Sequence, residues 1–157
     1  MPLTYENLLK EAHGSLEILE KKMGSKIKGL YADNIIWINR TIPTTVEKAC
    51  VLAEELGHYY TSYGDILDQT KIVNRKQEKR ARNWAYEKLI PLSKLIEAYG
   101  CRCRNRFELA EYLNVTEEFL EDTLKHYKEK YGLFKTIENY VIYFEPLGVL
   151  KIDDKFF

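Results

Sequence analysis

The sequence has no surplus of charge of either sign: 24 Lys and Arg balance 24 Asp and Glu. A neutral total argues against a chain whose main task is to grip nucleic-acid phosphates, although it leaves room for a local basic patch. There is no apolar run long enough to span a bilayer. Residues 1–11 carry charges and no export-type apolar stretch, so the expected location is the cytoplasm. Cysteine is scarce. Three cannot all pair within one chain, and in a cytoplasm they are expected to stay reduced. Cys101 and Cys103 form a lone Cys-x-Cys with no second Cys or His cluster beside it, which does not suggest a metal site.

What is present suffices for a packed core. Of 157 residues, 45% are hydrophobic and 13% aromatic, with 12 Tyr against 2 Trp. Many rings can therefore sit half-buried with a wet hydroxyl. The length fits one domain, or one domain with a small appendage.

The apolar spacing of Leu8, Leu9, Ala12, Leu16 and Leu19 predicts a helix over residues 4–23, stopped by Gly24. Two β-rich runs around Asp33-Asn34 predict a hairpin over residues 28–39. Thr44 with Glu47 is a capping-box pattern that opens a helix to about Thr61; Asn74 with Gln77 predicts a second, through Leu89. Pro91 permits a further helix ending at Gly100. The last third reads as a helix over 107–113, a turn at Asn114-Val115, a helix capped by Thr116 to about Lys130, and a hairpin over 133–144.

The second of these helices carries Glu54-Glu55-Leu56-Gly57-His58. At about 100° per residue, Glu54 and His58 are about 40° apart, one turn from each other, in an arc shared with Val46, Cys50 and Gly57. A carboxylate in an apolar arc needs a cation, donors or a proton. A metal ion held by Glu54 and His58 would satisfy both side chains. Glu55, turned by about 100° from Glu54, is placed to address a water on that metal. This is the pattern H-E-x-x-H with Glu for the first His. In it Glu55 is the general base and the metal acidifies the water. A third ligand is required. Glu78 shares a helical stripe with Ala81, Ala85 and Leu89, so it is expected on an apolar face; Asp65, in the turn after the motif, is the rival.

Two blocks now stand together. One is Leu52-Ala53-Glu54-Glu55-Leu56-Gly57-His58. The other places Glu78, Ala81, Trp84, Ala85, Leu89, Ile90 and Pro91 in the pattern Glu-x-x-Ala-x-x-Trp-Ala-x-x-x-Leu-Ile-Pro. Across residues 47–92 they resemble the ImmA/IrrE metallopeptidases of phages, integrative elements and bacterial stress systems. The resemblance implies a zincin-like core of the glutamate type, His58 and Glu78 as zinc ligands and Glu55 as the catalytic glutamate. It also implies cleavage of a helix-turn-helix transcriptional repressor, which relieves repression. Glu54 stands where the more familiar members carry His. A set of two Glu and one His is richer in oxygen, should select zinc over other divalent ions less strictly, and leaves more negative charge near the water. A member with weak or no turnover would act instead as an anti-repressor, by binding the repressor.

The expected fold is thus α+β: a zincin-like metallopeptidase domain over 1–100 with a small hairpin or sheet, then a helix-turn-helix-like part with a terminal hairpin over 101–157. Direct DNA binding by that second part is not expected. Its second helix opens with Glu117, Glu118, Glu121 and Asp122, which phosphates repel; Arg102, Arg104 and Arg106 read as solvated surface. His13 and His126 read as solvated helix residues. Tyr60 and Tyr63 are the candidates to help the metal hold the oxyanion of the transition state.

Overall fold

A computed structural model describes residues 3–12, 14, 16–61 and 71–153. The fold is α+β. In chain order the elements are α1 (Tyr5–Glu11), β1 (Glu17–Lys21), β2 (Gly29–Ala32), β3 (Ile35–Asn39), α2 (Thr45–Thr61), α3 (Lys71–Leu89), α4 (Leu92–Gly100), α5 (Arg106–Leu113), α6 (Glu117–Tyr131), β4 (Phe134–Ile137), β5 (Tyr140–Phe144) and β6 (Leu147–Lys151). Among the described residues no helix is long and apolar enough to cross a membrane.

The first helix is shorter than its apolar spacing predicts. It ends at Glu11, and residues 17–21 form β1 instead. Gly14, at φ +96°, stands in a backbone conformation that a helix does not use. Beyond it, Ile18 and Leu19 pair in parallel with Ile36 and Trp37 of β3, a long-range gain invisible to a local pattern. β3 is the centre of a three-stranded sheet in the order β1-β3-β2. The β2–β3 hairpin forms as expected. Asp33 and Asn34 both adopt positive φ, 50° and 62°, the signature of the tight turn that suits twisted strands.

At the end of β3, buried Asn39 organises the loop that leads into β2. Its amide donates to the Ile27 carbonyl at 2.7 Å, and its Oδ1 accepts from the Thr41 backbone N–H at 3.1 Å. β2 is thereby fixed as an edge strand lying beside α2.

Thr44 accepts a hydrogen bond from the Glu47 N–H at 3.1 Å, at the start of α2 as the capping pattern predicts. α3 begins at Lys71, one turn before Asn74. The Asn-x-x-Gln pattern marks no boundary there, because no Pro or Gly separates it from the preceding residues. α2 and α3 touch at Gly57: a Cβ at this position would lie 2.2 Å from the Ala81 carbonyl oxygen. The small face of α3 (Ala81, Ala85, Leu89) is buried against its neighbours.

In the last third, Asn105 and Thr116 cap α5 and α6 through their side chains, and Asn114 turns the chain between them at φ 58°. β4, β5 and β6 form an antiparallel meander. β6 extends the expected hairpin by a strand; its one deeply buried side chain is Val149. His126 is a correction. It is buried, with its ring against Tyr86 and Tyr127, because α6 turns Thr123, His126 and Tyr127 inward together. The flanking Lys125 and Lys128 misrepresent its face. Burial lowers its pKa, and its Nε2 lies 3.7 Å from Glu87 Oε2. His13 lies outside the described residues. One apolar core includes residues from α1 through β6.

Candidate metal centre

Three side chains converge where α2 crosses α3. Glu54 and His58 project from successive turns of α2, and Glu78 reaches them from α3. One ligating atom from each lies within 4.8 Å of the others, and this is the one such group of metal-binding residue types among the described residues. His58 Nε2 and Glu78 Oε1 are 3.3 Å apart. The close approach at Gly57 makes this convergence possible, since any larger residue would force the helices apart.

The burial differs from the expectation in two ways. Glu78 is not on a buried face: its side chain is 49% exposed. The stripe of Ala81, Ala85 and Leu89 sinks into the core, but Glu78 lies beyond its end at the mouth of a cleft. Glu54 is half-buried, and it has a protein partner that the motif alone does not reveal. Arg82 Nε donates to Glu54 Oε1 at 3.1 Å, and Arg82 Nη2 lies 3.9 Å from Glu78 Oε2.

Glu55 feels the environment most strongly. Burial pushes its carboxyl up to about 8, and the negative charges of Glu54 and Glu78 add to the shift. Gly29 of β2 lies directly against it. A Cβ at Gly29 would be 2.9 Å from Glu55 Oε1 and 2.8 Å from Val51 Cγ1. Gly29 and Tyr31 also line the cleft of about 510 Å³ that holds Glu54, Glu55, His58 and Glu78.

A family comparison agrees with this geometry. Residues 10–125 match the model of a peptidase family described as the IrrE N-terminal-like domain. The chain belongs to that family. No curated protein and no solved structure matches it. Membership in this family supports a metallopeptidase type of function, and with it a divalent metal.

The residues present fit such an ion. Imidazole and carboxylate are the donors of glutamate-type zinc sites, and each of the three side chains offers one here. A guanidinium already bridges the two carboxylates, which marks the place where positive charge is needed.

Asp65, the rival ligand, and Tyr63 lie outside the described residues. Tyr60 is exposed and stacks on Trp84 with ring centroids 5.1 Å apart, away from the cleft lining. Three site residues escape a reading of the motif: Gly29, Tyr31 and Arg82. Arg82, four residues after Glu78, was open to the helical-spacing argument. Gly29 and Tyr31 depend on strand placement and carry no local signal.

Proposed function

We propose that this chain is a zinc-dependent endopeptidase that acts in the cytoplasm on a helix-turn-helix transcriptional repressor and relieves repression by cutting it. In this reading residues 1–100 form a zincin-like core and residues 101–157 a helix-turn-helix-like part that docks the substrate rather than DNA. The observation that carries the reading is the meeting of Glu54, His58 and Glu78 beside a half-buried Glu55, under the edge of β2.

Glu54, His58 and Glu78 would hold the ion. When bound, it supplies a Lewis acid that polarises the scissile carbonyl and acidifies water; zinc suits the donors, and another divalent ion is compatible with the oxygen-rich set. Glu55 is the general base. Without a bound divalent ion it holds its proton near neutral pH, since burial and two neighbouring carboxylates oppose its charge. A divalent ion held by those carboxylates would favour its charged form, in which it accepts a proton from the attacking water and returns it to the leaving amine.

β2 offers a way to hold the peptide. The Asn39 N–H donates to the Lys28 carbonyl at 2.8 Å, so Lys28, Leu30 and Ala32 face β3 in the ladder. The backbone groups of Gly29 and Tyr31 therefore point along the outer edge, where an extended peptide can pair with them. Gly29 adds no side chain between that peptide and Glu55.

The test is to incubate the protein and its Glu55→Gln variant with the helix-turn-helix repressor encoded beside its gene. Discrete fragments that need a divalent ion and vanish in the variant support the enzyme. A second reading, an anti-repressor that binds without cutting, is motivated by the Arg82 bond to Glu54. Intact repressor in a stable complex would favour it.

A further inference from the structure

Arg82 sits one turn beyond Glu78 on α3, and its guanidinium spans two carboxylates at once. Its Nε bonds Glu54 at 3.1 Å and its Nη2 stands 3.9 Å from Glu78. Both carboxylates belong to the metal set proposed above, on which this inference rests. Arg82 is half-exposed, so these ion pairs add little to stability.

The charge count explains its position. Glu54, Glu55 and Glu78 bring three carboxylates to the centre. A divalent ion balances two of them and leaves one negative charge over. In the H-E-x-x-H pattern with one further Glu ligand, an imidazole replaces the first carboxylate and no charge is left over. The Glu at position 54 therefore creates a surplus, and Arg82 is the cation bonded to that residue.

We propose that Arg82 is a counter-charge built into the metal centre. It pairs with Glu54 and cancels the extra negative charge. It also opposes the incoming divalent ion, both by repulsion and by competing for the Glu54 carboxylate. The wild-type centre is accordingly a weaker divalent site than its ligands alone would make. Lys cannot reproduce the planar fork, but it retains the charge.

The test is Zn2+ affinity, measured by chelator competition at fixed pH and salt on the full chain. The proteins compared are wild type, Arg82→Gln, Arg82→Lys and Glu54→Gln. Arg82 is 55% exposed, so its replacement leaves the core intact, and circular dichroism checks that it does. Arg82→Gln should tighten Zn2+ binding by about tenfold, because a fixed positive charge a few ångströms from the ion is removed. Arg82→Lys should stay within about threefold of wild type, since the charge remains. Unchanged or weaker binding in Arg82→Gln, with Glu54→Gln still impaired, would overturn the counter-charge and leave the metal set standing. Unimpaired binding in Glu54→Gln would remove the metal set itself, and the inference with it.

Discussion

Thr123 and Tyr127 in α6, and Glu54, Glu55 and Glu78 in the α2–α3 pair, are all polar side chains at helix contacts, yet they are satisfied in opposite ways. Thr123 bonds the Phe119 carbonyl at 2.8 Å, and the Tyr127 hydroxyl donates to the Ile90 carbonyl at 2.7 Å. Each finds a neutral backbone partner, Thr123 within its own helix and Tyr127 across to the residue that follows α3. The α2–α3 pair does the reverse. It gathers three carboxylates around one imidazole and one guanidinium, and it lifts the carboxyl of Glu55 to about 8. An interface selected for stability alone would not gather like charges in a half-buried cleft. Groups held against their preferred charge state mark sites of function.

Breaking the chemistry should have the largest effect. Glu55→Gln is expected to lower repressor cleavage by about 10²- to 10⁴-fold, the usual loss when a general base is removed. Rates of fragment formation measure it, and the thermal midpoint at neutral pH should not fall.

Next is a contrast in packing. Gly57→Ala would put a Cβ 2.2 Å from the Ala81 carbonyl. The helices must separate, at a cost of about 3 kcal/mol or more, and Zn2+ binding should weaken with them. Leu120, fully buried in α6, provides the control. Leu120→Ala should destabilise by a similar ~2–5 kcal/mol in denaturant titrations, yet leave Zn2+ affinity unchanged under native conditions. Equal effects of both variants on Zn2+ would erase the distinction between the two regions.

The pH dependence follows from Glu55. Below about 4.5, its ordinary value, it is protonated in both folded and unfolded chains. Between there and about 8 only the folded chain keeps the proton, so stability falls as pH rises, opposite to a carboxylate stabilised by a salt bridge. Across that window the metal-free protein should lose on the order of a few kcal/mol from this group. Urea titrations between pH 5 and 8 would show the decline, and Glu55→Gln should remove this contribution. A profile identical in wild type and variant would show that Glu55 ionises normally.

The smallest effect belongs to the well-satisfied region. Tyr127→Phe should cost about 1 kcal/mol, because the Ile90 carbonyl loses its buried donor.

Much of this was legible in the sequence, because much of it is local. Helical spacing alone placed Glu54 beside His58, and the second block placed Glu78 on the helix that meets them. Thr44, Asn114 and Thr116 mark real helix ends, and Asp33-Asn34 a real turn. What was missed depends on partners distant in sequence. Ile18 and Leu19 are strand residues because β3 pairs with them, and β6 exists because β5 offers an edge. His126 is buried by the packing of α6, whatever its charged neighbours suggest. The apolar stripe behind Glu78 is buried as its spacing predicts, but it ends before Glu78, which stays at the cleft mouth. Gly29 matters only through the approach of β2 to Glu55.

Metal content tests most directly whether Glu54, His58 and Glu78 together hold a divalent ion. Wild type and Glu78→Ala are dialysed against the same buffered Zn2+ and analysed for bound metal. Stoichiometric Zn2+ in wild type and its loss in Glu78→Ala is the predicted result. Stoichiometric Zn2+ retained in Glu78→Ala would contradict this ligand set and move the third ligand elsewhere, with Asp65 the first candidate.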